Sequence, residues 1–332
     1  MGSRRLRRVL VAAAAVAVAL LLVFRGPNWG AVGHALVSMS WSWALAAVGL
    51  NLLSAIARGL AWRTVVDAAV PEPHPRTIDV FSAFFVGIFA NGILPGRIGE
   101  VARVAVLARR LPRRPGLWPA LLGTVVAHRL LEIGPSIALI VWVLAAAKIP
   151  GWGRSALLGV LGVAIVALAV GFVLARRHEE GSAAAGRFRQ AFAWARDGLG
   201  VLRRPQAASV AVGLQTAAWG LQLGAVWVAM RAFHMSLPLI AAGAVLALMN
   251  VALILPLWPG NVGLQQAAIA LPLVAYGIAY ARGFAYGIGL QAIESSVGYF
   301  FGVVFSLREG LTLATLRGDF GVDGAAHGSE QT

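Results

Sequence analysis

Apolar runs alternate with short arginine-rich segments along the chain. Uninterrupted runs lie at about 9–24, 43–66, 117–147, 155–175, 206–230 and 283–307. Most reach the roughly 20 residues that a helix needs to cross about 30 Å of hydrocarbon, so each predicts a spanning helix. Two further runs are interrupted. The run at 78–94 meets Pro95, Gly96, Arg97 and Gly99 before an apolar helix resumes over 98–108. The run at 238–258 meets "WPGNVG" and continues to about 278. Proline ends a helix, and glycine permits the reversal that follows.

The arginines predict how these elements thread. Clusters at Arg4–Arg8, at "RRLPRR" (Arg109–Arg114) and across 176–205 belong on the cytoplasmic side by the positive-inside rule. If 78–108 crossed the membrane once, "RRLPRR" would fall outside. A re-entrant hairpin from the cytoplasmic side keeps it inside, and the same reasoning makes 238–278 a hairpin entering from outside. The expected fold is an all-α integral membrane protein with about six full transmembrane helices and two opposed re-entrant hairpins. "LPGRIG" and "WPGNVG" share the pattern P-G-x-[IV]-G, and a span precedes and follows each. That is the pattern of an inverted repeat, with halves at about 43–147 and 206–307 inside one membrane domain covering 1–320. The 176–205 segment reads as an amphipathic interfacial helix or a solvated linker, and 321–332 as a disordered tail. The N-terminus resembles a signal peptide in outline, but "RGPNWG" offers no small-x-small cleavage pattern, so a retained first helix is expected.

Composition narrows the function classes. Of 332 residues only 12% are charged, against roughly a quarter in soluble domains. No stretch is long and polar enough for a soluble catalytic domain. Cysteine is absent, which removes disulfides and thiolate chemistry. The net charge of +15 would suit nucleic acid, but the arginines flank apolar runs, where they orient a membrane chain.

The remaining charges lie where hydrocarbon is expected. Non-helical backbone at membrane depth is tolerated only against protein or a water-filled cavity. After the first break, the outgoing helix presents unpaired amides and a positive dipole end, to which Arg97 adds a full charge. Such a tip favours an anion, and phosphate is the natural candidate. Glu100 suits the same dipole, and Arg103 lies one turn further on. An Arg97–Glu100–Arg103 ladder that only stabilises the hairpin is the alternative. Arg58 lies inside the second run, with Arg63 and Asp67 nearer its end as snorkelling residues. In "HRLLE", His128 and Arg129 are spaced to share a face with Glu132. His128 and Glu132 alone are too few for a metal site, and neither metal nor cofactor is expected. Glu294 has no partner close in sequence, which leaves Arg129 or Arg58 to supply one.

These residues carry a resemblance. "NGILPGRIGEVAR" looks like the first signature of the lysylphosphatidylglycerol synthase transmembrane-region family, also called flippase-like. Asn91, Pro95, Gly96, Arg97, Gly99, Glu100 and Arg103 match it. "LPLWPGNVGLQQA" is similar to the second signature through Pro259, Gly260 and Gly263, with Asn261 in place of a glycine and Gln266 in place of an acid. "AHRLLEIG" resembles a third region, with His128 where an acid is common. In the last span Gln291 stands where the family often has an arginine.

The resemblance covers about 5–315 and implies a membrane protein that handles lipids with charged or glycosylated headgroups. The best-understood members flip aminoacylated phospholipids and carry a soluble transferase domain, a feature not found in this sequence. Lysyl-lipid specificity is therefore not expected. The leading expectation is a lipid flippase or transporter in the plasma membrane, with both termini cytoplasmic. Its expected partner is a lipid with a phosphate headgroup, with a separate lipid-modifying enzyme or a second copy as further partners. The candidate binding residues are Arg58, Asn91, Gly96, Arg97, Gly99, Glu100, Arg103, Arg129, Glu132, Gly260, Asn261, Gln266 and Glu294. A membrane-embedded glycosyl- or phosphotransferase, or a scaffold for a separate synthase, are the alternatives. The first would need a general base and clustered acids.

Overall fold

The computed structural model describes residues 28–70, 72–93, 98–112, 114–176, 200–254, 261 and 263–311, with backbone alone at 171–176, 202 and 203. The expected first span, most of the 176–205 segment, both hairpin tips and the tail lie outside the described residues.

The described residues form ten α-helices and one 3-10 turn, with no strand. In chain order they are α1 (Trp29–Val37), α2 (Trp41–Ala69), α3 (Thr77–Ile93), α4 (Gly99–Ala108), α5 (Leu117–Ala146), α6 (Gly151–Arg176), α7 (Pro205–Ala232), α8 (Leu239–Ile254), α9 (Leu264–Val274) and α10 (Tyr280–Arg308). The protein is an all-α membrane protein. Four helices, α2, α5, α6 and α10, are long and apolar enough to cross a membrane. The expected span at 206–230 folds as the 28-residue α7 but is not among these four. Gln206, Gln215 and Gln222 dilute its apolar character.

Element lengths repeat along the chain. Helices of 29, 17, 10 and 30 residues (α2–α5) are followed, after α6, by helices of 28, 16, 11 and 29 (α7–α10). At 1.5 Å per residue the short helices reach roughly 15–26 Å, less than the hydrocarbon thickness.

Both short pairs fold back. Ser82, near the start of α3, donates to Glu309 Oε1 at 2.7 Å, and Arg110, just past α4, donates to Glu309 Oε2 at 2.9 Å. The open end of α3–α4 thus lies beside the C-terminus of α10. The loop after α9 reaches the opposite end, where Tyr276 Oη accepts from the backbone N–H of Lys148, just past α5. The core follows the same division. Val80, Phe84, Phe85 and Val104 of the first pair pack on Val297 and on Phe301 and Phe305 of α10. In the second pair, Ala244, Ala247 and Leu248 pack on Ile140 and Val143 of α5. The most extensive helix contact is between α2 and α7, where Ser54 Oγ donates to the Ala218 carbonyl at 2.8 Å.

Glycine permits the tightest approach within the first pair. A Cβ on Gly99 would lie 2.0 Å from the Gly87 carbonyl oxygen, and one on Gly87 would lie 2.9 Å from the Gly99 carbonyl oxygen. α3 and α4 therefore touch backbone to backbone beside the first break.

Candidate functional site

Helical spacing assembles the first part of the site. Glu132 falls at the midpoint of α5, one turn from both His128 and Arg129. Arg129 Nη1 donates to Glu132 Oε2 at 2.7 Å, and His128 Nε2 lies 3.5 Å from Oε1. On α4, Arg103 Nη2 approaches Glu100 Oε2 at 2.7 Å. These are the neighbours that i,i+3 and i,i+4 positions on a helix dictate.

Tertiary packing joins the pieces. Arg129 also donates to Glu100, which ties α5 to the start of α4. Arg58 of α2 donates to Glu132 Oε1 at 3.2 Å. Arg58, Glu100, Arg103, Arg129 and Glu132 therefore form one continuous ionic network across three helices. Two tryptophans cover it. The Arg58 guanidinium lies 5.3 Å from the Trp219 ring centroid, and that of Arg103 lies 4.8 Å from Trp62. Such stacking offsets part of the cost of withdrawing a guanidinium from water. Trp62 Nε1 donates to Thr124 Oγ1 at 3.2 Å, which fixes the ring. Buried His128 contacts Gln215 Nε2 of α7 at 3.2 Å. Pro135, one turn past Glu132, interrupts the α5 backbone ladder, and Ser136 Oγ donates to the Glu132 carbonyl at 2.8 Å.

The network is not fully satisfied. The Arg103 side chain is 4% exposed, yet its Nε has no hydrogen-bond partner among the described residues. Its contact with Glu100 is close in distance without hydrogen-bond geometry. Arg129 behaves oppositely: 52% of its side chain is accessible, although it lies near the middle of a spanning helix. Contact between such a charge and lipid tails would be costly.

The second half contributes a neutral counterpart. Asn91, at the end of α3, accepts from the Gly99 N–H at 2.8 Å and so caps α4. Gln266 caps α9 by accepting from the Gly263 N–H at 2.6 Å, and its amide also donates to Gln291. Asn261 is buried with φ 44°, and its Nδ2 donates to the Ala252 carbonyl at 3.2 Å. Glu294, at the midpoint of α10, accepts from Gln222 Nε2 at 2.6 Å. Its expected arginine partner is replaced by this amide. Asn51 Nδ2 donates to the Ile293 and Glu294 carbonyls at 3.2 and 3.1 Å.

Of the sequence-derived candidates, Arg58, Glu100, Arg103, Arg129 and Glu132 converge in the ionic network. Asn91 and Gly99 build the hairpin beneath it. Asn261, Gln266 and Glu294 belong to the second half. Gly96, Arg97 and Gly260 lie outside the described residues. The sequence reading missed Asn51, Gln215, Gln222, Trp62 and Trp219. The amides among them were detectable as isolated polar residues inside apolar runs. Among the described residues no group of three His, Cys, Asp or Glu side chains converges as for a metal. Arg63 and Asp67 pair at 3.4 Å, with about a third of each side chain exposed.

An all-helical bundle with four helices long and apolar enough to cross a membrane, and an arginine–glutamate network between its helices, is an integral membrane protein. The chain belongs to the family described as the lysylphosphatidylglycerol synthase TM region, whose model matches residues 9–302. No curated protein and no solved structure matches the chain.

Proposed function

We propose that this protein moves a membrane lipid with an anionic headgroup between leaflets, and that the phosphate binds the Arg58–Arg103–Arg129 cluster beside the start of α4. The observation that carries this reading is the accessible Arg129 at mid-helix. Three arginines face two glutamates in the network, which leaves an excess positive charge. Arg103 still has unspent donors, and Arg129 can exchange a carboxylate for a phosphate oxygen. The N-terminus of α4 adds to the same field, and Arg97 immediately precedes its N-cap Ile98 in sequence. Gln266, Asn261 and Glu294 would line the opposite wall. The two folded-back pairs act as opposed re-entrant hairpins of an inverted repeat, meeting near the midplane of the plasma membrane with both chain termini cytoplasmic.

The test is movement of a labelled anionic phospholipid in liposomes containing the purified protein and no donor substrate. A charge-assisted hydrogen bond to phosphate is worth about 1.5–3 kcal/mol. Arg129→Gln should therefore slow movement by about ten-fold or more, and Arg97→Ala by a similar factor. Full activity in both correctly folded variants would rule out the assignment. Mass spectrometry of lipid retained on the purified protein would identify the headgroup.

A further inference from the structure

The two halves place matching positions in unlike surroundings. Counted from the first residue of α2 and of α7, Arg58 corresponds to Gln222, Asn51 to Gln215, and Ser54 to Ala218. The last pair touch one another, as residues beside a two-fold axis would. On α5 and α10, with the count shifted by one residue, Arg129-x-x-Glu132 aligns with Gln291-x-x-Glu294. The contacts correspond as well, because Arg58 donates to Glu132 and Gln222 donates to Glu294. The two arginines that hold Glu132 thus correspond to glutamines in the second half, and one of these, Gln222, bonds Glu294. Glu132 has Arg58, Arg129 and His128, whereas Glu294 has no salt-bridge partner among the described residues.

Neighbouring elements do not supply one. Besides its own α10, the helices packed against it are chiefly α1, α2, α3, α7 and α9. Their described titratable groups are His34, Arg58, Arg63, Asp67, Asp79 and Arg231; α9 has none. His34 is exposed. Arg63 pairs with Asp67, Asp79 with Arg308, and Arg231 lies over Trp227. On α10 itself, Tyr286 donates to the Val226 carbonyl. The field of Arg58 reaches Glu294, but its hydrogen bond goes to Glu132. An ionised carboxylate held by an amide at mid-span is costly, whereas a protonated one is neutral and can still accept from Gln222.

We infer that Glu294 is a proton-binding site that couples lipid movement to the proton gradient: its carboxylate takes a proton from one aqueous face and releases it to the other. The role in coupling rests on the proposed lipid movement, whereas the protonation itself does not. The reasoning is one of charge. A lipid carrying one net negative charge moves that charge through the membrane potential when it crosses alone, but with one proton on Glu294 the pair crosses as a neutral unit. The first half holds the anion with fixed cations, and the second half offers a carboxylate that can be neutralised.

Two measurements test the inference independently. Infrared spectroscopy of the protein in liposomes should show a carboxylic C=O band that titrates with pH. The band should be absent in Glu294→Gln and in Gln222→Arg, and retained in Glu132→Gln. Gln222→Arg gives the second half the ion pair of the first, so it should fix Glu294 as carboxylate. A carboxyl that stays ionised throughout, or a band insensitive to both substitutions, overturns the proposal even if lipid moves. In the transport assay, a gradient of one pH unit should shift the leaflet ratio of an anionic phospholipid by up to about ten-fold per proton. That shift should vanish in both variants, whatever their basal rate. If sodium rather than protons shifts the ratio, the site is a cation site and the proposal fails. If the wild type moves no lipid but the band behaves as described, the transport reading fails and the proton site stands.

Discussion

Glu132 and Glu294 occupy the midpoints of matching helices. Glu132 is clamped by Arg58 and Arg129, with His128 beside it, while Glu294 rests on the amide of Gln222. At low dielectric, two unit charges 4 Å apart interact far more strongly than in water, so the clamped acid is a permanent ion. The lone acid has no such tie. Helices of similar length in the same order can thus carry different polar residues at matching positions. One half keeps fixed charges and the other keeps a site whose charge can change.

The largest expected effect separates these two acids. Glu132→Leu leaves two arginines without their shared acceptor and should cost about 3–5 kcal/mol of stability. Glu294→Gln keeps an oxygen for Gln222 and should cost under about 1 kcal/mol. Thermal unfolding in detergent measures both, and equal losses would end the comparison. Next comes Arg103→Lys, which keeps the charge but loses the planar fork and the flat contact with Trp62. Binding of an anionic phospholipid, followed by titration into nanodiscs, should weaken by about ten-fold.

The helix caps should show where the halves still agree. Asn91→Ala and Gln266→Ala each remove a side-chain acceptor from the start of a short helix. Each should cost about 1 kcal/mol, a match that chemical denaturation can check. Arg63→Ala should have the smallest effect. It breaks an exposed i,i+4 pair worth about 0.3–0.5 kcal/mol, and the lipid-movement rate should remain that of the wild type. A large loss of transport there would place the working site closer to the interface than Arg129.

Much of this arrangement was legible in the sequence because it is local. Run length gave the long helices, and proline and glycine gave the breaks between α3 and α4 and between α8 and α9. Helical spacing gave the Glu100–Arg103 and Arg129–Glu132 pairs. The links between Glu100 and Arg129 and between Arg58 and Glu132 depend on how separate helices pack, which spacing cannot reveal. The hydrogen-bond partner of Glu294 was not legible for a related reason. Opposite charge is the strongest expectation for a buried acid, and a single glutamine in an apolar run carries little weight beside it. Only the position-by-position match of α2 with α7 singles out Gln222. The length of α7 was legible too, but its glutamines reduce its apolar character below that of the four clear spans.

The backbone contact between Gly87 and Gly99 has a genetic consequence. Every missense change of a glycine codon adds at least a β-carbon, and a β-carbon at either position would overlap the neighbouring carbonyl oxygen. No conservative allele exists at these codons. In a saturation library selected for folded protein, both should be intolerant of all nineteen replacements, while Gly134 and Gly159, whose β-carbons would meet open space, should accept alanine.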